Sequence, residues 1–504
     1  MGSPGLFGFA AKEIQGYVFR SDKLKDMVGA SELVNDLCES FLDECLRTSG
    51  AACRVLSRAA GSARVRFDDA ADARQFAGVW PLLVDEFAPG LVVVNAVVDV
   101  RAGVGGESQA LAALDDRLAI ERQTPWPALP EIPPIVDRAP RTGGAAVASD
   151  GDGELVDRET LRKRSAAAAT NNHLVQKLTG ADAFRRAEWP LDMDEISGPE
   201  RDYVCVLHAD GNDLGATVRD LKNSAAAAGL DVASVFAAFS EAVEATTRAA
   251  AKDAYEAVLA TDKAAGRNCY AARAIVLGGD DLTIVLRADL AQCFAKNYLK
   301  AFEAESASRL RVVAAKWNAL TVPPHLTASA GLAFVKKSFP FVKAYELAES
   351  LCAHAKRALR GRGPNGETPA AIAFHRITAS ACSDYETILN RELRSKDGVV
   401  LSMGAYTVSA SVAGVPNLEA LTRLASALGR LPHGPVRGLI DRLQTSLVDA
   451  KAAHARMLEV VDGELAKDYR EALAAAVGRD GELVDKDSRT PLFDGHILRV
   501  LGAA

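Results

Sequence analysis

Two short stretches place acids where a carboxylate is costly unless it is used. The apolar run YVCVLHAD ends in Asp210, with Gly211 next. A carboxylate closing a buried strand needs solvent or a cation. The second stretch is Gly278-Gly279-Asp280-Asp281, flanked by ARAIVL and LTIVLR. Two glycines permit positive φ, so the acids after them are presented at a hairpin tip. In extended backbone Asp280 and Asp281 point to opposite sides, one into a site and the other supporting it or meeting an attacking hydroxyl. Alone, Gly-Gly-Asp-Asp also reads as an ordinary polar turn. If the strand ending at Asp210 is central in its sheet, its end lies beside the hairpin tip and the three acids meet. Three carboxylates at one point repel unless a divalent cation neutralises them, and hard oxygen ligands suit Mg²⁺ or Mn²⁺. Such ions can align a 3′-hydroxyl with an α-phosphate and stabilise a leaving pyrophosphate.

The surrounding elements must bring these acids together. YVCVLHAD reads as a strand, Gly211–Gly215 as a turn into a helix, and Val232–Ala265 as a long alanine-rich helix. ARAIVL and LTIVLR are strands around the hairpin. Ala288–Arg311 is helical, LTASAGLAFV a strand, Phe341–Arg360 an amphipathic helix and AAIAFHRI a closing strand. Beyond Asp384 the chain reads as mostly helical, with one short strand near Ala405–Ser409.

The N-terminal part repeats this order. Leu6–Val18 reads as a strand with a tight exit, Asp22–Arg47 as a helix with Ser21 as N-cap, CRVLSR and ARVRFDD as strands, Asp69–Phe87 as a helix and LVVVNAVVDV as a strand. LFGFAAKEIQGYVF takes the place of VCVLHADGNDLG, and CRVLSRAAGSARVRF that of AIVLGGDDLTIVL. The first copy lacks the acids at both turns. Between the copies, residues 103–199 read as linker or loop around a polar helix near Asp157–Thr179. The expected organisation is α+β: two ferredoxin-like palm domains in tandem, with antiparallel sheets covered on one face by helices. Residues 1–105 form a degenerate first palm, 106–200 an insert, 201–383 the acid-bearing palm and 384–504 a helical C-terminal domain.

Composition narrows the function classes. The chain has 504 residues, 49% hydrophobic and 25% charged, with net charge −7. The length suggests about three domains, the apolar content is enough for real cores, and the charge has the wrong sign for a protein that coats nucleic acid. The eight cysteines form no CxxC pair and read as free thiols in a reducing compartment. No apolar run is long enough to span a bilayer and no secretory signal is visible, so a cytoplasmic protein is expected. No Walker-type loop occurs. Arg141, Arg162, Lys163 and Arg164 read as a solvated basic face, with phosphate or RNA contact as the alternative. His208 and His375 read as structural.

The acid-bearing block resembles the nucleotide-cyclase palm shared by GGDEF-type diguanylate cyclases and the large subunit of type III CRISPR effector complexes. Details favour the CRISPR subunit: GGDD on the hairpin, HADGNDLG at the strand end, and FPFVKAYELAESLCAHAKRAL followed by AAIAFHRI. EIQGYVFRSDKLKDMVGASELVNDL resembles the opening of that family's first palm. The resemblance implies cyclic oligoadenylate synthesis from ATP or another nucleoside triphosphate in antiviral defence. It makes Asp210, Asp280 and the Gly211 carbonyl metal ligands, with Asp281 catalytic beside them. Gly278, Gly279, Asn212, Lys356 and Ser31 would contact nucleotide, Lys356 through phosphate. A solvated helix lysine and an ordinary small helix residue are the plainer readings of Lys356 and Ser31. The family often has a second aspartate where Asn212 stands. No His-Asp dipeptide precedes the first palm and no cysteine lies within 103–199, so the resemblance is to a reduced form lacking the nuclease and zinc elements. RNA and other effector subunits are the implied partners. The alternatives are a non-catalytic scaffold or nucleotide sensor in an RNA-guided complex, and a diguanylate cyclase-like enzyme using GTP.

Overall fold

The computed structural model describes every residue except 1–2, 60, 101–105, 125–132, 152, 170–171, 181–184, 199–200, 365, 379–383, 410 and 504. The chain divides into two compact units, Met1–Arg186 and Ala187–Ala504.

The first unit is built on four strands, β1 (Gly5–Ala11), β2 (Cys53–Ala59), β3 (Ser62–Phe67) and β4 (Val93–Asp99), in the order β2-β3-β1-β4, all antiparallel. Side chains alternate across a strand, so β1 builds two cores. Phe7 and Phe9 meet Phe76 and Trp80 of the Ala70–Phe87 helix, with ring centroids 4.7–6.1 Å apart. Leu6 and Ala10 pack with Val94 against Ala110, Leu114 and Leu118. Those three belong to a Gly106–Gln123 helix where the sequence reading placed a linker, so this sheet is covered on both faces rather than one. Other local expectations also shift. The strand stops at Ala11, and Ile14–Val18 is a short helix. The expected Asp22–Arg47 helix splits at Glu39 into Leu24–Cys38 and Ser40–Ser49. Its N-cap is Lys23, while the Ser21 hydroxyl donates to Asp26 at 2.6 Å.

The insert closes with a hairpin, β5 (Ala146–Ser149) and β6 (Leu155–Asp157), then the Arg158–Ala167 and His173–Thr179 helices. Its basic run is neither a solvated face nor a free anion surface. Arg164 pairs with buried Asp26 at 2.7 Å and Asp150 at 2.6 Å. Lys163, itself buried, donates to Glu159 and to the Tyr17 carbonyl, each at 2.6 Å. Arg162 donates to the Phe87 carbonyl at 2.9 Å, and Arg141 pairs with Glu154.

The second unit holds β7 (Tyr203–Gly211), β8 (Ala272–Gly278), β9 (Asp281–Arg287), β10 (Ala328–Lys336), β11 (Ala371–Arg376) and β12 (Tyr406–Thr407), in the order β12-β11-β10-β7-β9-β8. Its first four strands repeat the ferredoxin-like order of the first sheet, with β7 in the place of β1. The β10–β11 pair is parallel, so the closing strand extends the antiparallel palm by a different ladder. Crossovers run through Leu214–Ala227 and Val232–Ala254, and through Ala288–Lys316. Five helices between Leu418 and Leu501 make the C-terminal part mostly helical, as expected. Seven described cysteines are free, with Cys38, Cys205 and Cys352 buried; Cys382 lies outside the described residues. No described helix is long and apolar enough to cross a membrane.

The Phe341–Leu359 helix packs on β7, β10 and β11. Gly331 of β10 makes that approach possible, because a Cβ there would stand 1.9 Å from the Ala348 carbonyl oxygen and 2.6 Å from the Cys352 nitrogen. Gly331→Ala must therefore push the helix off the sheet. The expected cost is about 3 kcal/mol, the upper end for overpacking, read as a lower urea midpoint. An unchanged midpoint would show that the helix is free to shift.

Candidate active site at the hairpin tip

β7 lies between β9 and β10, pairing Ala209 with Leu282 on one side and Asp210 with Ser329 on the other. Asp210 therefore ends a central strand beside the first residue of β9. The β8–β9 connection pairs Gly278 with Asp281 and leaves Gly279 and Asp280 as a two-residue turn. Gly279 takes a left-handed φ of 62°, as primed hairpin turns require at their first position. Asp280 is thus in the turn, not in extended strand. That frees it from the opposite-sides rule, and both hairpin acids join Asp210: one oxygen from each lies within 4.8 Å of the others. Gly211 must be small, since a Cβ would meet Leu214 at 2.4 Å and the Asp280 Cβ at 3.2 Å.

His208 and Asp210 are two apart on β7 and share the face against the Phe341–Leu359 helix. Tyr345 and Lys356, eleven residues apart, lie on one stripe of that helix. Tyr345 packs edge-on to His208 at 5.5 Å, and the Lys356 ammonium donates to the Asp210 carboxylate and, at 2.7 Å, to the Gly211 carbonyl. His208 bonds Thr283 at 3.1 Å, and burial pushes its pKa down to about 4. His375 is pushed down to about 4 for the same reason. Neither imidazole is charged near neutrality.

Burial raises all three acids, and their differences come from neighbours. For Asp210, hydrogen bonds from Asp280 and the charge of Lys356 outweigh burial, and its pKa falls below the ordinary value. Asp280 is pushed up to about 6 by burial and by its contact with Asp210. Asp281 is pushed up to about 8 by burial and by the charges of Asp210 and Asp280. The donor set fits a hard divalent cation. It offers carboxylate oxygens and a backbone carbonyl, and it already holds a positive charge in the form of the Lys356 ammonium.

The first sheet has no acid at matching positions. Ala11 stands where Asp210 does, and its amide donates to the Gly61 carbonyl at 2.6 Å, at the place of Asp281. Ser31, on the Leu24–Cys38 helix of the first unit, is buried, and its hydroxyl has no hydrogen-bond partner among the described residues.

Asn212 sits next to the site with its amide turned inward. It donates to the Thr327 hydroxyl at 3.0 Å and to the Thr368 and Pro369 carbonyls at 3.3 and 3.4 Å, and accepts from Ser329 at 2.9 Å. Asp213 follows at a left-handed φ of 55° and accepts from the Thr368 amide at 3.2 Å. Sequence reasoning did not include Thr327, Ser329 and Thr368 as supports of the strand end. Their small polar side chains at the start of β10 and just before β11 were the available signal.

Residues 203–363 match the family model for the second palm domain of Cas10/Cmr2. The palm is Cas10-like. Solved structures agree at the level of fold. A Csm1–Csm4 cassette in complex with AMPPNP gives a TM-score of 0.54 at 15% identity, covering 100% of this chain and 70% of that one. The cassette with pppApA gives 0.53 at 16% identity over the same shares. Csm1 of T. onnurineus gives 0.51 at 16% identity, covering 99% of this chain and 69% of that one. No curated protein matches the chain. The resemblance drawn from the hairpin, the strand end and the following helix is therefore to the family that the Cas10-like palm represents.

Two outcomes follow from the geometry. Asn212→Asp sets a carboxylate against two carbonyl oxygens and removes their donor. It should cost about 3 kcal/mol, seen as a lower urea midpoint, and add no metal ligand, seen as no gain in Mn²⁺ binding. The second concerns pH. Asp281 titrates near 8 in the folded protein, against 3.8 as its ordinary value. As pH rises between those values the unfolded chain loses its proton first, so stability falls across that window and levels above it. In EDTA, Asp281→Asn should melt a few degrees above the parent at pH 8, the gap closing toward pH 4. A variant that melts lower at pH 8 would contradict the reading.

Proposed function

We propose that the Cas10-like palm is a metal-dependent nucleotidyltransferase that joins ATP into oligoadenylate and closes it into a ring, as a signal in type III CRISPR antiviral defence. The observation that carries this reading is the convergence of Asp210, Asp280 and Asp281 on one point beside the Gly211 carbonyl. Asp210, Asp280 and that carbonyl would hold Mg²⁺ or Mn²⁺, with Asp281 completing the set. A bound ion of this kind supplies charge stabilisation to the attacking oxygen and the leaving pyrophosphate. The residues do the positioning. Gly278 and Gly279 leave the hairpin beside Asp280 open where a triphosphate would approach, and Lys356 reaches the same point from the helix with an ammonium suited to phosphate. Ser31 is proposed as a nucleotide contact on the family resemblance alone. Asn212 acts by fixing the strand end.

The relatives support the choice of nucleotide. Their solved complexes contain AMPPNP, pppApA and cA4. Adenine is accordingly preferred over a GTP-using, diguanylate cyclase-like activity. The same matches are cassettes of Csm1 with Csm4, which favours work inside an effector complex with a subunit of that kind; RNA is proposed as a further partner. A cytoplasmic location fits such a complex.

The test is incubation of purified protein with each nucleoside triphosphate and Mg²⁺ or Mn²⁺, with products resolved by chromatography and mass. ATP should give linear and cyclic oligoadenylates. Asp280→Asn with Asp281→Asn should lower the rate by about a thousandfold, the scale of several kcal/mol of metal stabilisation. No product from any nucleotide, alone or with RNA and partner subunits, would leave the scaffold reading in its place.

A further inference from the structure

Lys356 takes two of the oxygens that a cation at this site needs. Its ammonium is bonded to the Asp210 carboxylate and to the Gly211 carbonyl at 2.7 Å. A divalent ion sits about 2.0–2.6 Å from each oxygen ligand, so it and the ammonium cannot both occupy the gap between these two oxygens. The helix under Lys356 is anchored: Leu351, Cys352, Ala355 and Leu359 are buried and Gly331 fixes its approach. The ammonium is held by those two hydrogen bonds, and the side chain is 24% exposed, so its tip has a path to solvent. Lys356 can therefore leave the strand end by rotating its own stem, without moving the fold. It needs a new acceptor to do so cheaply, and the phosphates of a nucleoside triphosphate are strong acceptors for an ammonium.

We propose that Lys356 is a loading switch: it holds Asp210 and the Gly211 carbonyl against a bare divalent cation and releases them when a triphosphate draws the ammonium away. The inference rests on the metal–nucleotide reading of the acid cluster and adds an order to it. Cation alone meets competition from Lys356. Nucleotide removes the competitor, so nucleotide tightens cation binding and, by linkage, cation tightens nucleotide binding by the same factor. The device would keep the cluster charge-balanced without committing a metal ion to a site that has no substrate.

Mn²⁺ binding, followed by electron paramagnetic resonance and calorimetry without and with AMPPNP, tests this without any turnover. Lys356→Met and Lys356→Gln remove the charge, and their melting curves report folding. Without nucleotide, both should bind Mn²⁺ about tenfold or more tightly than the parent, the scale on which a neighbouring charge shifts a carboxylate. AMPPNP should raise Mn²⁺ affinity more in the parent than in either variant. Asp280→Asn with Asp281→Asn is the control for the site itself and should lose Mn²⁺. If that control loses Mn²⁺ while both folded Lys356 variants bind it no better than the parent, the switch is wrong and the metal site stands. If the control binds Mn²⁺ like the parent, both readings fall.

Discussion

Three carboxylates with oxygens inside 4.8 Å of one another repel strongly in a half-buried setting, and the second unit is organised around that repulsion. Burial alone would push each of them toward the protonated form. The arrangement persists because positive charge is available at the same point. In this structure the charge is the Lys356 ammonium, delivered by a helix that follows β10 and lies across β7. Asp210 stays low in pKa because the hydrogen bond from Asp280 and then the charge of Lys356 favour its ionised form, while Asp280 and Asp281 take the rise. One ammonium among three acids leaves the cluster short of positive charge, which is the electrostatic ground for the proposed cation.

The first sheet shows what the same topology becomes without that demand. β1 and β7 hold equivalent positions in equivalent ladders, yet β1 ends in Ala10-Ala11 and its hairpin carries Gly61. The first copy invests instead in an aromatic core of Phe7, Phe9, Phe76 and Trp80 on one face and a leucine-lined helix on the other. Both copies leave the strand through a left-handed non-glycine residue, Glu13 in one and Asp213 in the other. Strand exit geometry is thus common to the topology. The acids are added to the second copy alone.

Much of this was legible because the strands announce themselves. YVCVLHAD is apolar on both faces, which argues for a central strand, and centrality placed Asp210 at the hairpin tip. The repeat could be read because strand order and hairpin spacing recur. The Gly106–Gln123 helix was missed although Ala110, Leu114 and Leu118 recur at four-residue spacing, because glycines before it and prolines after it dominate the local composition. The break at Glu39 has no proline or glycine to mark it. The basic run near Arg164 read as solvated because its partners Asp26 and Asp150 are distant or ordinary in sequence. Lys356 could be singled out, but not its bond to Asp210. That contact spans 146 residues and depends on how closely Gly331 lets the helix approach.

Residues 210–213 divide the work of the strand end among four consecutive positions. Asp210 turns its carboxylate to the two hairpin acids. Gly211 offers its carbonyl to the Lys356 ammonium and has no side chain because Leu214 and Asp280 fill the space. Asn212 turns inward, where two carbonyls and a hydroxyl require a donor, and Asp213 turns out to cap the Thr368 amide. Exchanging Asn212 and Asp213 would put a carboxylate against carbonyl oxygens and remove the donor they share, even though an Asn at 213 could still accept from the Thr368 amide. The order Asp-Gly-Asn-Asp is therefore not interchangeable with other acidic spacings on this backbone. With Asn212 committed to the interior, the acids that join Asp210 among the described residues are those of the hairpin, and that makes Gly278–Asp281 the part of the palm on which the proposed chemistry turns.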